Sequence, residues 1–327
     1  MSNNILTEEQ LEIKKKEARD SEIRQNLKSH CTKIRDGIQK NGTASAHRAI
    51  WELFQNAGDL SECAEIKMTI EKNAFIFAHK GKSFTYDSLC SLVKQVSSEE
   101  KESDDTVGQY GTVFLTTHTF GLKIIINGSM CINQDPPVYV DIENFEIDRT
   151  NFNNIPTFIG EMFIQIEAVN ALMDAPQTNQ PREWTELIYS LNEERLLKVQ
   201  NAIDESIKLM PYVLTFNDNI GSCCIEDKNR GFVIKFSKEK LPTSINDLHL
   251  ARIWISKNSN RPNPFDCYYL QLHDGESRII LPLESESIVR PIQNIPHLFV
   301  HFPLIGSEYF NVSFIFHSHK FIPEESR

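Results

Sequence analysis

The hydrophobic pattern of this chain changes its period near residue 60. Before that point, apolar residues recur every three or four positions, which predicts an amphipathic helix. These residues are Ala49, Ile50, Leu53, Phe54 and Ala57. After it, Ile66, Met68 and Ile70 alternate with polar residues. A second apolar run follows at 75–77, so we expect a β-hairpin that turns at 72–73 and a fold of the α+β class.

The remainder of the chain alternates between helical and strand-like segments. Residues 5–39 carry mixed charge on an incomplete helical pattern, which predicts one or two solvated helices that pack by a narrow face and form an arm rather than part of the core. Helical patterns return at 158–173 and 192–209, and short strand-like runs broken by Pro and Gly follow. Because the composition changes near residue 192, we place a domain boundary there. The predicted units are an N-terminal helical arm (1–44), a first domain (45–191) and a second domain (192–327).

Composition excludes several classes of protein. The net charge is −11, from 45 Asp and Glu against 34 Lys and Arg, which disfavours binding to nucleic acid or to an anionic membrane. No apolar run approaches the roughly 20 residues that a membrane span needs, and the polar N-terminus lacks a secretory core. The seven cysteines include no CxxC pair, and no histidine lies at ligand spacing, so we expect reduced thiols and a cytoplasmic protein.

Glu52 and Asn56 are four positions apart in the predicted helix, within the segment WELFQNAGDL. At that spacing their carboxylate and amide groups project from one face. Such a pair can orient a water molecule and bind a cation. The alternative is that both are solvent-facing polar residues of an ordinary amphipathic helix.

Two glycine-containing segments follow the hairpin. HKGKSF (79–84) lies directly after a strand, where Gly81 permits a left-handed turn or the close approach of a ligand, or is a plain turn glycine. VGQYGTVF (107–114) follows a polar, charged stretch at 97–106 that we expect to be a mobile surface loop. Its two glycines precede a helix-like run, where backbone amides can bind phosphate oxygens.

Together, the ordered segments ELFQNAGD, HKGKSF and VGQYGTVF resemble the nucleotide-binding domain of the GHKL ATPase superfamily. The Hsp90 and sacsin-like branch is the most similar, since its glycine-rich segment looks like GQFGVGF and its first motif like ELxxNAxDA. The resemblance covers 45–191, with further similarity in LMPYVLTFN and FPLIGSE. It implies a Bergerat-type two-layer α/β sandwich that binds ATP, followed by a smaller α/β transducer-like domain.

The resemblance also implies roles for individual residues. Glu52 would be the general base for the water that attacks the γ-phosphate, and Asn56 would hold the Mg²⁺ ion. Asp59 occupies a motif position of the nucleotide site that is more often structural, Thr185 would contact adenine, and residues 84–107 would form the lid over ATP. The segment that wraps the phosphates would consist of Gly108, Gln109, Tyr110, Gly111 and Thr112.

Two positions depart from the pattern of the superfamily. Most members have Asp-x-Gly-x-Gly where this chain has HKGKS, so Gly81 is kept but the carboxylate that would accept the adenine amino hydrogen is replaced by His79. A neutral His79 can accept that hydrogen bond through one ring nitrogen, or it is a buried core histidine. Val113 replaces the third glycine of the phosphate segment and removes backbone freedom there.

Three functions remain open at this point. The first is a slow Mg²⁺-dependent ATPase, in which ATP closes the lid and joins two protomers into a homodimer. The second is a nucleotide-sensing or interaction module that binds ATP or ADP and hardly hydrolyses it. The third is a chaperone-like or defence-associated scaffold for an unidentified client protein. Lys235, Arg252 and Lys257 are candidate second-domain donors to the γ-phosphate, and we expect the chain to be the N-terminal portion of a longer protein.

Overall fold

The computed structural model describes residues 7–40, 45–95, 113–242, 247–258, 262–272, 275–284, 287–291, 293–310 and 312–321. The predicted loop at 97–106 and the predicted phosphate segment at 108–112 lie outside these residues. Within them the chain forms five α-helices: α1 (Glu8–Lys40), α2 (Ser45–Asp59), α3 (Tyr86–Lys94), α4 (Ile155–Leu172) and α5 (Glu193–Phe216). Two 3-10 helices span Val113–Thr119 and Ser307–Tyr309. None of the described helices is both long and apolar enough to cross a membrane.

Sixteen strands complete the described part of the fold. The strands before α5 are β1 (Ala64–Ile70), β2 (Ala74–His79), β3 (Phe84–Thr85), β4 (Lys123–Gln134), β5 (Pro137–Asp148), β6 (Gln177–Thr178) and β7 (Thr185–Ser190). Those after it are β8 (Ile220–Asp227), β9 (Phe232–Leu241), β10 (Leu248–Lys257), β11 (Asn263–Gln271), β12 (Ser277–Glu284), β13 (Ser287–Ile288), β14 (Leu298–Val300), β15 (Phe302–Pro303) and β16 (Ile315–Ser318). The architecture is mixed α/β, and the antiparallel pairing of β1 with β2 confirms the predicted hairpin.

All sixteen described strands belong to one hydrogen-bonded sheet. Its order is β15-β14-β16-β12-β11-β10-β9-β8-β1-β2-β7-β4-β5-β6, with β13 on β12 and β3 on β4. Most neighbours are antiparallel, and the parallel pairs are β1–β8, β3–β4 and β14–β16. The β1–β8 pair joins the two halves of the chain, since it runs from Ala64 opposite Ile220 to Ile70 opposite Asp227. The sheet is therefore continuous across residue 192, where the domain boundary stays a prediction.

Helix α2 packs its apolar face on the sheet. The apolar positions that define its pattern are all buried, namely Ala49, Ile50, Leu53, Phe54 and Ala57. Phe54 meets Phe77 of β2 edge to face, with ring centroids 5.8 Å apart. Trp51 stacks on Phe302 of β15 at 6.1 Å. Because burying a large apolar side chain contributes about 1.5–3 kcal/mol, this face holds α2 in place and fixes the direction of its polar residues.

Helix α1 is one continuous helix that is solvated over only part of its length. Leu11 is exposed, whereas Leu27 and Ile34 are buried. Cys31 is buried between them, and its thiol lies 3.8 Å from the sulfur of Met162 in α4. The last turns of α1 thus pack by the predicted narrow face, but this face belongs to the main hydrophobic core, so the interpretation of the segment as an arm outside the core is wrong for these turns. The high charge of this segment comes from its exposed face.

A fully buried arginine, Arg149, lies immediately after β5. Its guanidinium donates hydrogen bonds to Gln165 of α4 at 2.7 Å, to the carbonyl of Asp148 at 3.1 Å, and to the carbonyl of Val93 in α3. It also lies over the ring of Phe158, 5.3 Å from the ring centroid. Burial lowers the pKa of Arg149 to about 10, so the group stays charged at neutral pH. One side chain thus connects β5, α3 and α4.

Candidate functional site

Glu52 lies in the middle of α2 and faces the protein interior. The residue is 5% exposed, so the interpretation of Glu52 as a solvent-facing side chain is wrong. Asn56 and Asp59 follow on the same helix and are half-buried. The structure therefore places two carboxylates and one amide along the second half of α2.

Glu52 has one paired and one open carboxylate oxygen. Its Oε1 accepts a hydrogen bond from Nε of the exposed Arg48 at 2.9 Å. Its Oε2 is buried and accepts no hydrogen bond from the described residues. Burial raises the pKa of Glu52 from 4.5 to about 8, against the opposing effect of Arg48. A carboxyl group whose pKa lies near the working pH is suited to accept and return a proton.

The raised pKa of Glu52 predicts a pH dependence of stability. The folded chain holds the Glu52 proton more tightly than the unfolded chain does, so binding of this proton stabilises the folded state. The stabilisation is fully present below pH 4.5 and is lost as the pH rises to about 8. Relative to Glu52→Gln, the free energy of unfolding of the wild type should fall by about 2–3 kcal/mol between pH 6 and 8. Urea unfolding of both proteins across this range measures the difference. A difference that stays constant with pH would contradict the raised pKa.

His79 and Thr185 lie side by side on the sheet face that α2 covers. They are directly opposite each other in the antiparallel pair β2–β7, and residues in such a pair project to the same face. Phe77, two residues before His79, projects to that face as well. Because Phe77 contacts Phe54 of α2, the helix that carries Glu52 packs on the face that carries His79 and Thr185.

The ring of His79 is buried, and its Nδ1 forms no hydrogen bond with the described residues. Burial lowers the pKa of His79 to about 4. The imidazole is therefore neutral at pH 7 and keeps one nitrogen as an acceptor. A buried polar atom normally has a hydrogen-bond partner, so the open Nδ1 favours the interpretation of His79 as a ligand-binding residue over that of a core histidine.

Two glycines border this pair of residues. At Gly81, a Cβ would lie 3.0 Å from the carbonyl oxygen of Leu60 and 3.3 Å from Nδ1 of His79. Gly81 does not have a positive φ, so it does not form the left-handed turn considered from the sequence. The groups that lie close to its backbone are Leu60 and His79 of this chain. At Gly128 of β4, a Cβ would lie 3.2 Å from the hydroxyl oxygen of Thr185. Side chains at these two positions would crowd the His79 ring and the Thr185 hydroxyl.

Two further residues beside Glu52 were not predicted from the sequence. Arg48 precedes Glu52 by one helical turn, and opposite charges at that spacing are the signal for their ion pair. Tyr189 is fully buried in β7, four residues after Thr185, and this even spacing places both side chains on one face. Burial raises the pKa of Tyr189, and so does the nearby carboxylate of Glu52.

The other predicted residues are the phosphate segment and three basic side chains in the second half of the chain. The segment from Gly108 to Thr112 lies outside the described residues. Arg252 donates to both carboxylate oxygens of Asp266, at 2.7 and 2.8 Å. Lys235 and Lys257 are exposed on β9 and β10. Their contact with a γ-phosphate, like that of Arg252, stays a prediction.

The chain is distantly similar to solved structures of an ATPase region. No protein-family model matches it, and no curated protein matches it. The ATPase region of Saccharomyces cerevisiae topoisomerase II bound to ICRF-187 (dexrazoxane) is similar over 64% of this chain and 58% of that chain, with 11% identity and a TM-score of 0.32. A second structure of that ATPase region is similar over 63% and 57%, with 10% identity and a TM-score of 0.32. The chain thus spans less than two thirds of those regions, and a likeness this distant does not establish a function.

Proposed function

We propose that this chain binds ATP together with Mg²⁺ and hydrolyses it slowly, in the manner of GHKL ATPases. The observation that carries the proposal is the position of Glu52, a buried carboxyl group with an open oxygen on the helix that covers His79 and Thr185. Burying such a group without a full set of partners costs stability, and groups with strongly shifted pKa values cluster at functional sites. The three ordered sequence motifs support the same assignment.

In this proposal, adenine lies against His79 and Thr185. The neutral ring of His79 would accept a hydrogen bond from the exocyclic amino group, and the Thr185 hydroxyl would bond to a ring nitrogen. Guanine carries a carbonyl where adenine carries this amino group, so binding of guanine would leave two acceptors facing each other. A site that loses a hydrogen bond to the wrong base discriminates against it, so we expect a preference for ATP over GTP.

Asn56 and Glu52 would serve the phosphate end of the site. The side-chain oxygens of Glu52, Asn56 and Asp59 suit Mg²⁺, which prefers oxygen ligands. The amide oxygen of Asn56 would hold the ion. When bound, Mg²⁺ neutralises charge on the phosphate oxygens. Glu52 would orient the attacking water and accept its proton at Oε2. Arg48 holds Oε1 and thereby fixes the direction of Oε2.

Lid closure and dimerisation belong to the same proposal. Residues 84–107 would close over bound ATP, and two protomers would then associate. Helix α3 is the described helix of this lid. It begins with a capping box, in which Thr85 and Ser88 exchange hydrogen bonds between side chain and backbone, so this part of the lid is already ordered as a helix.

A nucleotide sensor that does not hydrolyse ATP is the second candidate, and the raised pKa of Glu52 favours it. With a pKa of about 8, Glu52 is mostly protonated at pH 7, and a protonated carboxyl group does not accept a proton from water. The presence of Val113 in place of a third glycine would also slow the closing of the phosphate segment. Such a module would bind a client protein in the conformation that it adopts with ATP.

Calorimetric titration with ATP and GTP in the presence of Mg²⁺ tests the binding site. We expect one ATP per chain, weaker binding of GTP, and a loss of ATP affinity of about 10-fold or more in His79→Leu, because this change removes the acceptor and keeps an apolar side chain. His249→Leu is the matched control, since His249 lies on β10 and stacks on Tyr269. The proposal fails if the wild type binds no ATP, or if a folded His79→Leu binds it with unchanged affinity.

A further inference from the structure

Three histidines, His301, His317 and His319, lie together outside the residues assigned above. One ring nitrogen of each lies within 4.8 Å of those of the other two. The ring centroids are between 4.3 and 5.0 Å apart. Nε2 of His301 and Nδ1 of His319 are 3.2 Å apart. One imidazole nitrogen of each residue therefore lies close to those of the other two, and the nitrogens of His301 and His319 are at hydrogen-bond distance.

The fold holds these rings from two separate parts of the chain. His301 lies between β14 and β15 with a φ of 59°, and its carbonyl oxygen accepts a hydrogen bond from Nδ2 of Asn217 at 2.6 Å. His317 lies in β16 and stacks on Phe216, with ring centroids 4.9 Å apart. His319 follows His317 by two residues, in the turn after β16, and the centroids of the two rings are 4.9 Å apart.

The innermost of the three rings lacks hydrogen-bond partners. His317 is 1% exposed, and neither of its ring nitrogens bonds to any of the described residues. A neutral imidazole offers one donor and one acceptor, and buried polar atoms are normally paired. Side-chain packing alone does not explain why two further imidazoles lie beside a ring whose two nitrogens have no hydrogen-bond partner among the described residues. A bound metal ion, which accepts lone pairs from nitrogen, would explain this arrangement.

We propose that His301, His317 and His319 bind a divalent transition-metal ion of the zinc class. Imidazole nitrogens suit Zn²⁺, whereas Mg²⁺ and Ca²⁺ take oxygen ligands. In a tetrahedral site with Zn–N distances of about 2.0–2.1 Å, the nitrogens lie about 3.3–3.4 Å apart, so side-chain rotations that bring them closer by up to about 1.5 Å complete the site. His319 is exposed, so the fourth position opens to solvent, as in sites with three protein ligands and a water.

The surrounding charges narrow the choice of ion. Arg278 is opposite His317 in the β12–β16 pair, and its positive charge opposes any cation. Asp218 reduces this effect, since Nη1 of Arg278 lies 3.8 Å from its carboxylate, but Asp218 also pairs with Lys238 and Lys240. Binding must therefore come from bonds to the nitrogens rather than from electrostatic attraction, which favours a transition metal over an alkaline-earth ion.

The sequence carries one sign of this proposed site, the segment HSH at 317–319. Its two histidines are separated by a single residue, a spacing that would place the two side chains on different faces of a helix. His301 comes from a different strand connection, so its place beside the pair follows from the parallel pairing of β14 with β16. The sequence contains the pair, and the fold adds the third ligand.

Zinc titration of the chelator-treated full chain, without nucleotide, tests the proposal. We expect saturable binding of one Zn²⁺ per chain and a loss of affinity of about 10-fold or more in His319→Ala. His319 is exposed, so this variant keeps the core, and circular dichroism verifies its fold. Cobalt provides a second measurement, because nitrogen-ligated tetrahedral Co²⁺ gives visible absorption bands that should be present in the wild type and lost in His319→Ala.

Two matched controls separate this site from other metal-binding side chains. His249→Ala removes an imidazole outside the cluster, and Cys63→Ser removes an exposed thiol. Both variants should bind zinc as the wild type does. The proposal is overturned if the wild type binds no stoichiometric zinc, if His319→Ala binds it with unchanged affinity, or if Cys63→Ser loses it. Since no nucleotide is present, these results are independent of the proposed ATP site.

Discussion

Glu52→Gln should abolish ATP hydrolysis and leave ATP binding intact. The substitution keeps the size of the side chain and an oxygen for the hydrogen bond from Arg48, but it removes the proton acceptor at Oε2. General-base catalysis is typically worth about 10²–10⁴ in rate, so phosphate release at saturating ATP and Mg²⁺ should fall by about 100-fold or more. Calorimetry measures the retained binding. Because the pKa of Glu52 is about 8, the wild-type rate should also rise between pH 6 and 8.

The matched control for this prediction is Glu62→Gln. Glu62 is exposed just after α2, so its replacement should leave the rate of hydrolysis unchanged. A wild-type rate in Glu52→Gln would remove Glu52 from the reaction. If the wild type itself binds ATP and releases no phosphate, the nucleotide sensor is the correct function and Glu52 has a binding role.

Arg149→Met should lower the free energy of unfolding by about 3 kcal/mol or more. The substitution removes three hydrogen bonds donated by a charged group, each worth about 1.5–3 kcal/mol, and takes the donor away from the carbonyl of Val93. Methionine is long and flexible enough to occupy most of the vacated space, so a cavity contributes little to the loss. Urea unfolding followed by circular dichroism measures the change.

Arg182→Met provides the comparison. Arg182 is an exposed arginine that pairs with Asp141 and Glu143, and exposed ion pairs contribute about 0–1 kcal/mol. Its replacement should therefore change stability by no more than about 1 kcal/mol. Equal, small losses in both variants would mean that the cost of burying the Arg149 charge cancels its hydrogen bonds.

Local hydrophobic periodicity predicts the elements that bury one face. Helix α2, the β1–β2 hairpin and the start of α5 all follow from it, because each element presents a regular apolar stripe to the core. The parallel pairing of β1 with β8 does not follow. Neither strand carries a pattern that specifies a partner so far away in the chain, and strand order is decided by tertiary packing rather than by local preference.

The candidate site is also predicted from the sequence only in part. The spacing of Glu52 and Asn56 indicates a shared helix face, but only packing shows that Glu52 points inward. The neighbourhood of His79 and Thr185 depends on the register of β2 against β7, and a shift of one residue would send either side chain to the other face. Sequence therefore predicts the residue types of the site, and strand pairing decides which of them meet.

The pairing of β1 with β8 determines how this chain can be divided. Strand β1 lies inside the sheet and bonds to β2 on one side and to β8 on the other. A fragment that stopped at residue 191 would leave the β8 side of Ala64–Ile70 as an open edge of unpaired backbone N–H and C=O groups, the kind of edge that recruits strands from other molecules. Aggregation of such a fragment would then result from the absence of β8, and would not be evidence against a nucleotide site built on α2 and β2.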